Sequence, residues 1–259
     1  MALSWMGLVK TTLIDFPGEV AATVFTPGCN LRCPYCHNPD LVVPPYPDDL
    51  VPVEEVESFL KRRARVLGGV CITGGEPLLH TDLTGFVRYC RSLGLKVKLD
   101  TNGTLPDRLD CGLFDYIAMD VKTAPEHYSR VAASRAAPAL DTASGVDNSR
   151  GTSPRAAETV PEDPDAARNV LASIEKITRS GVPHEFRTTV VPGIVDAGDV
   201  AVIAGLIGGA DKYVLVQFRN GKTLDPAYAD LDPYPSSELE AMAEGVREKG
   251  VPCELRGVY

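Results

Sequence analysis

Short β-branched runs alternate with amphipathic helical patterns along this chain, and that alternation restricts the folds it can adopt. Residues 21–25 and 69–73 are typical of buried strands, and residues 53–67 between them repeat apolar side chains at helical spacing. Parallel strands need long crossovers, usually helices, so this order predicts an α/β fold around a parallel sheet. The other predicted strands are residues 95–99, 116–119, 185–191, 213–218 and 252–255, and the other predicted helices are residues 82–92 with Asp82 as cap, 165–180, one from Gly198, and 236–249.

Length and charge limit the classes of function that the chain can have. A chain of 259 residues with 44% hydrophobic content can bury one full core, so we expect residues 1–259 to form a single domain. The net charge of −9 argues against a nucleic acid or an anionic membrane as partner, because both require an excess of Lys and Arg. The longest apolar run, near residues 200–209, is too short to span a bilayer, and residues 1–18 lack the layout of a signal peptide. These features predict a cytoplasmic protein.

The segment between Ala132 and Asp165 differs in composition from the rest of the chain. It is rich in Ala, Ser, Pro, Asp and Arg and contains no aromatic residue. Such a composition buries too little apolar surface to offset the entropy lost on ordering. We interpret residues 132–165 as a flexible insertion in the domain, with a lid over the functional site as the alternative.

Three of the seven cysteines lie in one short stretch after the first predicted strand. Cys29, Cys33 and Cys36 follow the spacing C-x3-C-x2-C, which supplies three soft thiolates. That set suits an iron–sulfur cluster whose fourth iron has no protein ligand. Structural zinc with His37 as the fourth ligand is the alternative, although adjacent Cys36 and His37 form an awkward tetrahedron. The four other cysteines lack cluster spacing and are predicted to be buried small hydrophobic residues: Cys71, Cys90, Cys111 and Cys253.

Polar motifs follow four successive predicted strands. Ligands bind at the carboxyl ends of parallel strands, so we expect these motifs to share one mouth. The paired glycines of the second motif permit a close approach of the backbone to a ligand, whereas the second and third motifs could also be plain turns. The motifs are the cysteine loop, Gly74-Gly75-Glu76-Pro77, Asp100-Thr101-Asn102 and Asp120-Val121-Lys122.

Taken together, these motifs resemble those of the radical S-adenosylmethionine superfamily. The likeness rests on the three cysteines with Tyr35 before the third, followed by Thr73 and the Gly-Gly-Glu-Pro motif. Within that superfamily, residues 7–18 and the Cys-His-Asn-Pro run at 36–39 resemble the activating proteins of anaerobic ribonucleoside-triphosphate reductase, relatives of the pyruvate formate-lyase activating enzyme. The likeness implies a partial (β/α)6 TIM-like barrel.

The resemblance also implies cofactors and a reaction. The three thiolates would hold a [4Fe-4S] cluster, and S-adenosylmethionine would chelate the fourth iron and be cleaved reductively to a 5′-deoxyadenosyl radical. That radical would generate a glycyl radical on a partner enzyme, expected to be anaerobic ribonucleotide reductase, with flavodoxin or ferredoxin as the electron donor. The alternatives are an enzyme of the same superfamily that acts on a small molecule, as in deazapurine formation, and a zinc-binding module.

The residues around S-adenosylmethionine follow from the same resemblance. Glu76 or the local carbonyls would accept its ammonium group, and Asp100 and Asp120 would line its site, with a monovalent cation near its carboxylate. Lys122 and Arg187 would neutralise a carboxylate or bind ribose, or else form ion pairs. The predicted cofactor-binding residues are Gly74, Gly75, Glu76, Pro77, Asp100, Thr101, Asn102, Asp120, Lys122 and Arg187.

Overall fold

One sheet of nine strands forms the centre of the computed structural model, which describes residues 1–132 and 165–258. The strands are β1 Trp5–Thr12, β2 Ala21–Thr26, β3 Val51–Pro52, β4 Gly69–Gly74, β5 Lys96–Thr101, β6 Tyr116–Asp120, β7 His184–Val190, β8 Tyr213–Gln217 and β9 Cys253–Arg256. Their order is β3-β1-β2-β4-β5-β6-β7-β8-β9, and all neighbours from β2 to β9 pair in parallel. The α/β prediction is confirmed, because each predicted strand corresponds to one of these parallel strands with its ends displaced by no more than two residues.

Helices connect most of the successive parallel strands. They are α1 Pro39–Val42, α2 Val53–Arg63, α3 Leu83–Ser92, α4 Ser129–Ala132, α5 Ala166–Ser180, α6 Ala197–Leu206 and α7 Ser236–Glu248. Acidic residues in the first turn of α2 and basic residues in its last turn complement the helix dipole. The predicted helix over residues 53–67 is one turn too long, because α2 ends at Arg63 and Leu67 is buried beyond that end.

Asp82 precedes α3 but its side chain does not cap the helix. The carboxylate instead accepts the backbone N–H of Leu3, with N–O distances of 2.8 and 3.1 Å. The predicted capping role is therefore wrong, because the amino-terminal segment takes up the same oxygens. Asp82 joins the start of the chain to the connection between β4 and α3.

The sequence does not predict β1 or β3. β1 pairs antiparallel with β2, with Gly7 opposite Phe25 and Thr12 opposite Ala21. Its consecutive residues Val9, Lys10 and Thr11 are all exposed, so the strand lacks the alternation of apolar and polar side chains that would reveal it. Pairing with β2 at the edge of the sheet therefore specifies this strand more than its own pattern does.

The loop between β1 and β2 covers the amino-terminal ends of the parallel strands. Phe16 is buried, and its ring centroid lies 6.3 Å from that of Tyr116 at the start of β6. A Cβ on Gly69, the first residue of β4, would lie 2.8 Å from the Phe16 ring, so the glycine makes room for that ring. Asp15 accepts a hydrogen bond from the Thr23 hydroxyl at 2.5 Å. Part of the 7–18 motif thus has a structural task at the end of the barrel opposite the cysteine loop.

The predicted insertion of residues 132–165 lies outside the described residues except at its two ends. Its flexibility and the assignment of residues 1–259 to a single domain stay predictions. Within residues 1–132 and 165–258, no helix combines the length and the apolar character that a membrane span requires. The cytoplasmic location also stays a prediction.

Candidate functional site

The cysteine loop leaves the carboxyl end of β2 and runs to α1. Gly28 opens it with φ +86°, a left-handed conformation that favours glycine, and donates its N–H to the Leu41 carbonyl at 2.6 Å. The N–H of Cys36 reaches the Cys33 carbonyl at 3.0 Å, so the second and third cysteines share one tight turn. Cys33 is buried and Cys29 and Cys36 are half-buried. The fold thus turns the three predicted cluster ligands toward one cavity.

The glycine pair at the carboxyl end of β4 packs directly on that loop. Gly75 donates its N–H to the Thr26 carbonyl and Glu76 donates its N–H to the Gly28 carbonyl, both at 2.8 Å. A Cβ on Gly75 would lie 1.9 Å from the Gly28 oxygen, and Gly74 has φ +109° with no space for a Cβ beside Thr26. The glycines are therefore needed for close packing of two backbone segments, in addition to any approach to a ligand.

A cavity of about 200 Å³ lies where the cysteine loop meets the ends of β4, β5 and β6. The predicted residues that line it are Cys29, Cys33, Cys36, Gly74, Gly75, Asp100, Thr101, Asn102, Asp120 and Lys122. Glu76, Pro77 and Arg187 do not line it. Glu76 follows Gly75 and accepts the Thr101 hydroxyl, Arg187 pairs with Asp120, and Pro77 lies one residue further along the chain from the cavity wall. The expectation of one shared mouth at the carboxyl ends of the strands agrees with this placement.

The sequence does not predict that six further residues line the cavity: Leu31, His37, Asn38, Val42, Thr73 and Thr189. Thr73 and Thr189 lie near the carboxyl ends of β4 and β7, so the rule that found the other motifs could have found them. Tyr35 was recognised only as part of the cysteine motif. Its hydroxyl is buried and has no hydrogen-bond partner in the described part of the chain.

Glu76 is fully buried behind the cavity wall and holds two loops together. Its Oε1 accepts the Leu78 N–H at 3.0 Å and the Thr101 hydroxyl at 2.8 Å, and its Oε2 accepts the Asn102 N–H at 2.7 Å. Burial raises the pKa of this carboxyl to about 7, against the hydrogen bonds and the Lys122 charge that lower it. These contacts link the motif after β4 to the motif after β5.

Ionised side chains from three neighbouring strands meet beside the cavity. Arg187 donates from Nε to Asp120 at 2.7 Å and from Nη1 to Asp100 at 3.1 Å. Lys122 donates to the second oxygen of Asp120 at 2.9 Å, and buried Lys98 contacts Asp100. Burial acts to raise the pKa of Asp120, but the Arg187 and Lys122 charges outweigh it and hold that pKa well below the ordinary value.

The charges in this group leave a positive surplus. Three carboxylates, Asp100, Asp120 and Glu185, face four cations, Lys98, Lys122, Arg187 and Arg256, because Glu185 lies 3.9 Å from Arg187 and also pairs with Arg256. Lys122 lines the cavity, so the surplus borders the space where a ligand would lie. A carboxylate group of a ligand would be attracted by this positive charge, because both aspartates are already paired with cations of the protein.

The thiols of the triplet are suited to metal in their chemistry and their position. Burial raises the pKa of Cys29 to about 11 and that of Cys33 to about 12, so both are protonated at neutral pH before metal binds. Metal ligation requires thiolates, and binding would therefore release protons. Three thiols that open onto one cavity, with Lys122 near them, fit a cluster that carries one thiolate on each of three irons.

His37 is placed differently from a fourth zinc ligand. Its Nε2 lies 2.7 Å from the Arg219 carbonyl oxygen, and its ring stacks on Phe218 with centroids 5.7 Å apart. Within the described residues, no group of three or more His, Cys, Asp or Glu side chains converges on a point that could hold a single metal ion. A cluster does not need such convergence, because its thiolates bind different irons.

Contacts between the cysteine loop and the segment after β8 extend across the mouth. Besides the His37 contact, Asp225 donates its N–H to the Pro34 carbonyl at 2.9 Å, and Lys222 pairs with Asp40. In the sheet β2 and β8 are separated by four other strands. Loops from these two strands can meet only if the sheet curves, so the contacts support a partial barrel with a partly covered mouth.

Known proteins resemble this chain in sequence and in fold. The profile of the Radical SAM superfamily matches residues 23–203. A protein of Methanocaldococcus jannaschii, named provisionally as a glycyl-radical enzyme activating enzyme, is 29% identical over 244 residues, which are 92% of this chain and 89% of that protein. The 7-carboxy-7-deazaguanine synthase of Methanopyrus kandleri is 37% identical over 136 residues, 43% of this chain and 52% of that one. The crystal structure of Streptococcus suis SuiB superposes with a TM-score of 0.59 at 13% identity, covering 90% of this chain and 48% of SuiB, which shows similarity of fold.

Proposed function

Because this chain belongs to the radical SAM superfamily, we propose that it activates a glycyl radical enzyme by removing a hydrogen atom from one backbone glycine of that partner. The observation that carries the proposal is the similarity to the named activating enzyme, which spans nearly the whole of both chains. The partner that we propose is anaerobic ribonucleoside-triphosphate reductase, on the basis of residues 7–18 and the Cys-His-Asn-Pro run. The donor that we propose is a flavodoxin or a ferredoxin.

The enzymes of this family use a [4Fe-4S] cluster and S-adenosylmethionine. When bound, the reduced cluster supplies the electron that cleaves S-adenosylmethionine to methionine and a 5′-deoxyadenosyl radical. We propose Cys29, Cys33 and Cys36 as the cluster ligands, since all three line one cavity. A hydrogen-atom transfer needs no general base, so this site requires no catalytic triad.

The residues of the chain would hold the ligand by charge and by shape. Lys122 has a side chain that is 19% exposed and borders the cavity, so its ammonium group can pair with a carboxylate of S-adenosylmethionine. Asp120 and Arg187 keep that ammonium group in place from behind. Gly74 and Gly75 place the backbone at the cavity wall, where its carbonyls can accept the ammonium group of the ligand.

The contacts over the mouth suit a reaction that must exclude water. The segment after β8 contacts the cysteine loop at Pro34 and His37 and contacts α1 at Asp40, so it adjoins the loop that carries the thiols. A reactive radical needs such protection from solvent. A protein partner would insert its glycine-bearing loop at the side of the mouth that these contacts leave open.

Electron paramagnetic resonance on a mixture of candidate reductase, this protein, reductant and S-adenosylmethionine tests the proposal. We expect a glycyl doublet on the reductase, and about four irons per chain after anaerobic reconstitution. Cys33→Ala should abolish cluster and doublet, whereas Cys90→Ala, a change at another buried cysteine, should leave both intact. A full iron content in Cys33→Ala would refute the ligand assignment.

A small-molecule substrate is the second candidate, because the chain also matches a 7-carboxy-7-deazaguanine synthase over 136 residues. The two candidates differ in what consumes the radical. If S-adenosylmethionine is cleaved without a doublet on any glycyl radical enzyme tested, and a deazapurine precursor is converted, the small-molecule function replaces the activating one.

A further inference from the structure

A buried side chain beside the cysteine loop donates a hydrogen bond to one of the three sulfurs. Asn102 is 5% exposed, and its Nδ2 lies 3.8 Å from Cys29 Sγ, within the range of an N–H···S hydrogen bond. The same Nδ2 donates to Asn30 Oδ1 at 3.0 Å. Cys29 also receives the Leu31 backbone N–H at 3.5 Å, so its sulfur accepts two donors.

Neighbouring groups fix which end of the Asn102 amide faces the sulfur. Its Oδ1 accepts both donors of Thr104, the backbone N–H at 3.0 Å and the hydroxyl at 2.7 Å. Asn30 donates to the Thr104 hydroxyl at 2.7 Å and so completes a closed ring of three side chains. A flipped amide would set its NH2 group against the Thr104 N–H and its oxygen against Asn30 Oδ1, so Nδ2 points toward Cys29. Asn30 and Thr104 are as deeply buried as Asn102.

We propose that Asn102 is a positioning residue that sets the reduction potential of the cluster through its hydrogen bond to Cys29. The inference rests on the proposed function, in which Cys29 holds one iron. Reduction adds negative charge to a cluster, and part of that charge resides on the ligand sulfurs. A donor aimed at a sulfur stabilises the reduced form more than the oxidised form and raises the potential. The ring formed with Asn30 and Thr104 keeps the donor aimed.

The role differs from that of a residue that only supports the loop. Asn102 also donates its backbone N–H to Glu76, and that contact is independent of the side chain, so a side-chain substitution leaves it in place. Asn102→Leu retains the approximate size and removes the donor without adding charge. Asn102→Asp retains an oxygen for Thr104 but places a carboxylate beside the sulfur.

The test is a redox titration of the reconstituted protein followed by electron paramagnetic resonance, with iron content measured on each sample. In Asn102→Leu we expect the ratio of reduced to oxidised cluster at a fixed potential to fall about fivefold, the factor that corresponds to one ordinary hydrogen bond. For a one-electron couple this factor equals about 40 mV. Asn102→Asp should lower the potential further, and resonance Raman spectra should show altered iron–sulfur stretching in both variants. Glu240→Gln, at an exposed position of α7, changes the charge of the protein by one unit without contacting the ring and should leave the potential unchanged.

The possible failures can be told apart. A full complement of iron with an unchanged potential in Asn102→Leu overturns the inference and leaves the cluster ligands as proposed. If that variant loses its cluster, Asn102→Ala decides, because it removes the same donor without the bulk of a leucine side chain: a lowered potential supports the inference and an unchanged one refutes it. Full iron content in Cys29→Ala would instead refute the ligand assignment on which the inference rests.

Discussion

Gly75→Ala is the substitution whose effect the structure defines most sharply. The new Cβ would lie 1.9 Å from the backbone oxygen of Gly28 and 2.6 Å from its carbonyl carbon. Backbone atoms cannot rotate away as a flexible side chain can. Either the end of β4 or the cysteine loop must therefore move by about 1 Å before the contact reaches the 3.0 Å that Cβ atoms tolerate.

Two terms set the size of the loss. Overpacking of this kind costs about 1–3 kcal/mol. The same displacement pulls apart the hydrogen bonds from Gly75 to Thr26 and from Glu76 to Gly28, each worth about 0.5–1.5 kcal/mol net. The free energy of unfolding should fall by about 2–6 kcal/mol, a large share of the roughly 5–15 kcal/mol of a typical domain.

Urea denaturation of the iron-free protein, kept reduced and followed by circular dichroism, measures this loss. Gly245→Ala is the matched control, because Gly245 is exposed in α7 and a Cβ there would meet no atom within 4 Å. It should gain about 0.5–1 kcal/mol from the lower entropy of the unfolded chain. If Gly75→Ala unfolds at the same urea concentration as the native protein, the glycine does not serve the packing that we assign to it. A fall in Gly245→Ala equal to that in Gly75→Ala would show that the effect is general to glycine replacement.

Three other substitutions test the supporting contacts. Arg187→Met leaves the carboxylates of Asp100 and Asp120 without their shared partner and should cost about 3–5 kcal/mol in urea unfolding at pH 7. Arg187 helps to hold the pKa of Asp120 below its ordinary value of 3.8. The difference in free energy of unfolding between the native protein and Arg187→Met should therefore narrow as the pH falls below that value. A difference that stays constant with pH would contradict the ion pairing. Burial raises the pKa of Glu76 to about 7, so its contribution to stability is present below about pH 4.5 and is lost by about pH 7. Glu76→Gln should remove roughly 3 kcal/mol of this pH dependence from the iron-free protein. Urea unfolding midpoints measured across this pH range check the prediction. His37→Ala removes the contact with Arg219 and Phe218, so amide hydrogen exchange in residues 219–231 should accelerate while exchange in β4 stays the same.

Periodicity predicts the buried strands of this fold but not its edge. Strands β2, β4 and β8 are rich in apolar residues on both faces, a pattern typical of buried parallel strands, whereas β5, β7 and β9 also carry charged residues. β1 carries three consecutive exposed residues and owes its conformation to pairing with β2. The end of α2 is missed for a related reason: Leu67 continues the helical spacing, yet it is buried after the chain has already turned.

The site shows the same division between local pattern and tertiary contact. The rule that ligands gather at the carboxyl ends of parallel strands places ten of the predicted residues around one cavity. The rule cannot tell which side of the wall a residue occupies. Glu76 and Arg187 lie near strand ends in the sequence, yet neither lines the cavity. Glu76 is held behind the wall by hydrogen bonds from Thr101 and Asn102. Arg187 is held there by its bonds to Asp100 and Asp120. Such partners are far apart in sequence, so spacing alone does not reveal them.

Arg187 is costly to bury, but its ion pairs have a positional role beside this cavity. Removing charges from water costs several kcal/mol for each ion, and a buried pair is a poor source of stability compared with apolar packing. Asp100, Asp120 and Arg187 come from three adjacent strands, β5, β6 and β7, so their pairing fixes how these strands lie relative to one another at the mouth. Arg187 shares Asp100 with Lys98 and shares Asp120 with Lys122, so the carboxylate paired with Lys122 is also paired with Arg187, and Lys122 borders the cavity with its charge only partly balanced. The network therefore orients the Lys122 ammonium group toward the place where an anionic group of a ligand would bind. Apolar packing could not supply that orientation.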